Sequence, residues 1–188
     1  MSRFEIAEAE WTAAQSAFAH KLRGSARGKI GVPFLNLLPQ PALAEKVADL
    51  GAWLRFEGTL PADIRELVTL ATAAHWRSCY EWTGHARLGL AAGLDREALR
   101  TLAQGDTPQL CADRALALSA ARAILASGSL DDAAFAALAG RFGRGGAVEL
   151  VTLCGYYSLL AMVIGAGYPE GEAPDWADTV TRSLAAEA

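Results

Sequence analysis

The chain has 188 residues, a length that suits one domain with added arms. Hydrophobic residues make up 52% and charged residues 20%, and the mean hydropathy is +0.18, which provides a packed core and is somewhat apolar for a monomer. The net charge is −4 and the basic residues form no run, so nucleic acid and anionic membranes are poor candidate partners.

From the N-terminus, the apolar spacing predicts an amphipathic helix over Glu5 to Leu22. Gly24 to Pro41 is dense in glycine and proline and reads as an ordered loop, packed down through Val32, Phe34, Leu35, Leu37 and Leu38. A helix from Pro41 to Phe56 follows, then Gly58-Thr59-Leu60-Pro61 as a boundary and a helix to about Trp76. The next helix starts near Ser78 and ends around Ala92, with Gly93 suited to its C′ position. Asp95 can cap a short helix to Ala103, and Gly105 to Pro108 is a turn. Helices over Gln109–Ala126 and Asp131–Phe142 follow. Gly143 to Gly146 separates the latter from an apolar helix running to Gly167. Pro169 to Pro174 is a loop before a last helix, Asp175 to Ala186. No run of β-branched residues alternates with polar ones, so the fold class is all-α.

The segment from Leu150 to Gly167 is near the minimum length of a membrane span. Glu149 beside it, three internal glycines and the lack of a basic flank favour a buried helix instead. Three widely spaced cysteines, Cys79, Cys111 and Cys154, include no CxxC pair, which disfavours a disulfide scaffold. The N-terminus has no apolar signal core. The expectation is a cytoplasmic protein with reduced thiols, Cys111 and Cys154 lying in its core.

Glu66-Leu67-Val68-Thr69-Leu70 recurs as Glu149-Leu150-Val151-Thr152-Leu153, each copy followed by an aromatic-bearing segment. Chance or an old duplication into two pseudo-symmetric helical halves would both account for it.

The chemistry concentrates between Glu66 and His85. Glu81 and His85 are four residues apart and share a helix face, and a carboxylate beside an imidazole moves protons near neutral pH. Each residue also has a plainer role. Ser78-x-x-Glu81 has the form of a capping box, which would occupy the Glu81 carboxylate. His85 would serve equally as a core residue bonded to a carbonyl, and Glu66 as a solvated surface residue or as the partner of Arg65 or Arg77. Cys79 sits in a first helical turn, where a thiol can be activated, although buried free cysteines are usually inert. Trp76, Tyr80 and Trp82 read first as core or interface and second as walls of a dry pocket. No HExxH, phosphate-binding glycine loop or GxSxG motif is present, so neither a metal nor a cofactor is expected.

Arg65-Glu66-Leu67, Tyr80-Glu81-Trp82 with His85, and Ala91-Ala92-Gly93-Leu94 resemble the carboxymuconolactone decarboxylase family, which includes AhpD-like alkylhydroperoxidases. Val32-Pro33-Phe34 upstream, and Glu149-Leu150-Val151 with Gly155-Tyr156-Tyr157 downstream, extend the likeness over roughly residues 30–170. The resemblance implies a single helical domain over residues 1–188, with the first and last helices as arms, assembling as dimers, trimers or hexamers. AhpD-like members carry a CxxC pair with a Glu twelve residues before its first Cys and a His four after its second. Here Glu66 and His85 match, while Ser78 and Glu81 stand at the cysteine positions. A dithiol peroxidase cycle therefore lacks its cysteines, and Cys79 has no partner in sequence. The decarboxylase branch lacks the CxxC and implies cofactor-free chemistry in aromatic catabolism. The expectation is a lyase or proton-transfer enzyme on a small carboxylated or lactone-like substrate. His85 would be its acid/base, Glu81 the partner of His85 and Glu66 a second carboxylate. Cys79, Ser78 and Tyr80 are further candidates. Arg65, Arg77 and Arg87 are candidate anchors for a substrate carboxylate. A thiol peroxidase using Cys79 and a non-catalytic oligomeric binding protein are the alternatives.

Overall fold

The computed structural model describes residues 2–185, and among these it contains helices and no strand. The nine α-helices are α1 (Ala13–Arg23), α2 (Val32–Leu37), α3 (Pro41–Phe56), α4 (Ala62–His75), α5 (Cys79–Ala91), α6 (Arg96–Ala103), α7 (Ala112–Ser127), α8 (Asp132–Gly167) and α9 (Trp176–Ala185). The all-α class is as expected. The expected end of the last helix, Ala186, lies outside the described residues.

The chain folds as two compact units. The first holds the residues up to Glu57 together with Met162–Ala173. Its N-terminal helix is shorter than expected. A 3-10 turn over Glu8–Glu10 precedes α1, which starts at a capping box where Thr12 and Gln15 satisfy each other's backbone amides. The breaker-rich stretch also contains a helix, α2, because its Pro33 falls in the first turn, where a missing N–H costs nothing. Phe18 and Phe34 meet edge to face at 6.3 Å, and Asn36 Nδ2 donates to the Val163 carbonyl at 3.1 Å.

The second unit holds Gly58–Ala161 and the residues from Pro174 on. In it α4 packs against α5 and α7, and α9 against α5. Leu67, Leu70, Trp82, Leu99, Leu150 and Leu153 are almost fully buried, and Trp82 meets Trp176 edge to face at 5.2 Å. Both Glu-Leu-Val-Thr-Leu copies lie in this unit, so the two units do not divide the repeat. α8 is kinked at Gly143 (φ 74°, ψ 166°), a backbone region open essentially to glycine alone, where the sequence places a helix boundary. It is the one described helix long and apolar enough to cross a membrane, and 56% of its most apolar window is buried within the protein, as in a core helix.

Candidate functional site

Between α4 and α5 lie only Trp76, Arg77 and Ser78. The turn is tight because Ser78 N–H reaches back to the Ala73 carbonyl at 2.8 Å and Arg77 N–H to Ala74 at 3.1 Å, a Schellman closure. Arg77 occupies its C′ position at φ 48°, which glycine fills at no cost and a side chain fills at about 1 kcal/mol.

This hairpin brings Glu66 of α4 against Glu81 and His85 of α5. His85 Nδ1 lies 2.6 Å from Glu66 Oε2, and His85 Nε2 lies 3.7 Å from Glu81 Oε2. All three are buried, at 4%, 5% and 6% exposure for Glu66, Glu81 and His85. Tyr157 of α8 closes the imidazole edge to face at 4.9 Å, with Tyr156 against Tyr157 at 5.2 Å. Glu66 is therefore not a solvated surface residue. Its other oxygen faces Arg65 Nε at 3.5 Å, and Arg77 is not its partner. In the tautomer with its hydrogen on Nδ1, His85 donates to Glu66 and directs Nε2 towards Glu81.

The capping box at Ser78-x-x-Glu81 does not form. Ser78 makes no side-chain cap, and its buried hydroxyl has no hydrogen-bond partner. Glu81 turns to His85 instead. Tyr80 is half-buried. Trp82 is core, while Trp76 is exposed and donates to Ser158 Oγ at 2.8 Å.

All three cysteines are free thiols. Cys79 is buried, with its sulfur 3.4 Å from the Pro174 carbonyl. Cys154 is buried too, and its desolvation pushes the thiol up to about 11, against a smaller opposing effect of the Thr72 hydroxyl. Cys111 is exposed at the start of α7, a correction to its expected place in the core: as N-cap it precedes the buried face of that helix. Among the described residues no three His, Cys, Asp or Glu side chains group as metal ligands. Glu149 performs a different task from its repeat counterpart. It accepts from Thr59 N–H and Oγ1 at 2.8 and 2.9 Å and from Leu60 N–H at 3.3 Å, just before α4.

The residue reasoning from sequence left out of the site is Tyr157. Its signal was the aromatic pair that follows the second Glu-Leu-Val-Thr-Leu copy. Comparison with curated proteins and with solved structures returns no significant match. Residues 41–126, from the start of α3 nearly to the end of α7 and including Glu66, Glu81 and His85, match the model of the carboxymuconolactone decarboxylase family.

Proposed function

We propose that the Glu66–His85–Glu81 cluster is the active site of a cofactor-free lyase or proton-transfer enzyme acting on a small carboxylated or lactone-like substrate. The observation that carries this reading is the buried 2.6 Å contact between Glu66 and His85, with Nε2 directed towards a second carboxylate. Glu66 holds the ring in one tautomer, as an orienting carboxylate does in other His-dependent sites. In a decarboxylation, the electrons of the breaking C–CO₂ bond pass into an enolate. Protonated Nε2 then delivers a proton to the enolate carbon, and the imidazole recovers one from solvent. Glu81, 3.7 Å away, balances the imidazolium charge and guides the returning proton. Of the three candidate anchors, Arg65 stands beside the cluster. It is held within 3.5 Å of Glu66, and its buried Nε makes no hydrogen bond. Arg87 is exposed.

A thiol peroxidase mechanism has less support, since Cys79 faces main-chain carbonyls and has no neighbouring thiol to resolve an oxidised sulfur. The chain is also proposed to self-associate, through an exposed apolar face on α8. The test of the activity is a screen of lactones and of β-keto and unsaturated carboxylic acids, reading CO₂ release and deuterium incorporation at carbon. Wild type should turn over at least one of them, and His85→Ala should lose it. Equal turnover by both would remove His85 from the mechanism.

A further inference from the structure

A polar recess lies at the C-terminal end of α4. It has a volume of about 300 Å³ and is lined by His75 and Arg77 at the end of that helix, by Gln104 and Gly105 after α6, and by Arg122 and Leu125 of α7. None of its lining residues belongs to the His85 cluster.

Two properties make it more than a surface irregularity. The first is charge. Arg122 is fixed by oxygens that carry no net charge: Thr107 Oγ1 at 2.7 Å and the Gly105 and Asp106 carbonyls at 3.3 and 2.6 Å. Its guanidinium is thus positioned but not neutralised. Arg77 makes no side-chain hydrogen bond or ion pair among the described residues. Two uncompensated cations therefore converge on one recess, with a histidine beside them, in a chain of net charge −4. The second is backbone cost. Arg77 stands in the left-handed conformation at a helix C′, where glycine is the unstrained choice. Keeping arginine there makes sense if its side chain has a use that offsets the strain.

We infer that this recess binds a small organic carboxylate, the carboxyl group held between Arg77 and Arg122 and its carbon skeleton against Leu102 and Leu125. Paired guanidinium donors suit a carboxylate, and the volume is at the small end of ligand pockets. This goes beyond the reading of the His85 cluster and does not depend on it.

Calorimetric titration of the full chain at low salt tests the assignment, with benzoate as the probe and inorganic phosphate as the comparison. Benzoate should bind saturably and more tightly than phosphate, and its binding should survive His85→Ala. Arg77→Gly should weaken binding about tenfold or more, yet raise the melting temperature, because glycine relieves the strain. That combination is not expected of a merely structural arginine. Arg122→Gln should weaken binding as well. Absence of saturation, benzoate affinity unchanged in Arg77→Gly, or affinity lost in His85→Ala while Arg77→Gly keeps it would each overturn the site. Phosphate binding as tight as benzoate would overturn the organic-acid assignment.

Discussion

The closest contact in the candidate site joins two residues nineteen apart in sequence, Glu66 and His85. The i,i+4 spacing of Glu81 and His85 was legible because helical periodicity puts both on one face. The Glu66 contact is tertiary and became visible only when the hairpin closed. Glu66→Gln keeps the shape and removes the charge that orients the ring. Turnover should fall about a hundredfold, within the range expected for disabling an acid/base pair, while far-UV circular dichroism stays unchanged. Arg65→Met should raise KM more than it lowers kcat if Arg65 holds the substrate carboxylate. A fall in kcat with KM unchanged would give it another task. Cys154 offers a pH prediction. The folded thiol keeps its proton up to about 11, whereas an exposed thiol releases it near 9.0. Between those values the folded state binds the extra proton. Its contribution is therefore intact below pH 9.0 and drains away as pH rises to about 11, a loss of roughly 2–3 kcal/mol in all. Urea unfolding of Cys154→Ser against wild type should show the wild-type decline flattened in that window.

Identical strings did not have identical fates at the scale of elements. Thr12-x-x-Gln15 forms a capping box, and Ser78-x-x-Glu81 does not, although the pattern is the same. At Ser78 the backbone N–H that Glu81 would have to satisfy is already bonded to the Ala73 carbonyl at 2.8 Å. Glu66 and Glu149 open the same pentapeptide. One meets the His85 ring at 2.6 Å and the other gathers the amides of Thr59 and Leu60. Local rules did fix other ends. Asp95 caps α6 through Glu97 and Ala98, and Gly93 closes α5 at φ 87°. Proline and glycine density hid α2, because the breakers crowd its flanks rather than its interior. Glu149→Ala strips a buried carboxylate from two amides and a hydroxyl and should cost about 2–4 kcal/mol. Thermal melts should fall by roughly 5–15 °C for a chain of this size. Gly143→Ala forces a side chain into a region that tolerates none and should cost about 1–3 kcal/mol. A melt unchanged from wild type would mean that the kink is not needed.

For the whole molecule, composition already posed a question: a mean hydropathy of +0.18 is high for a chain that shields its own apolar surface. Part of the answer lies on α8. Val148, Val151, Gly155 and Leu159 fall at i, i+3, i+7 and i+11, a single helix face, and are exposed, the valines at 66% and 44% and the leucine at 36%. A Cβ added at Gly155 would meet nothing within 4 Å, so the middle of the row is open to close approach by another helix. The opposite face of the same segment, Leu150, Leu153, Cys154 and Tyr157, is buried. The helix is thus apolar on both sides while its own chain covers one, and a second copy would remove the other from water. If this row holds copies together, Val151→Asp places a charge in a desolvated contact and should shift the sedimentation mass to that of one chain, with helicity kept. Wild-type melting should then rise with protein concentration, as it does when folding and association are coupled, and the variant's should not. A wild-type chain that sediments as a monomer, or a Val151→Asp chain that keeps the wild-type mass, would move the self-association surface elsewhere or remove it.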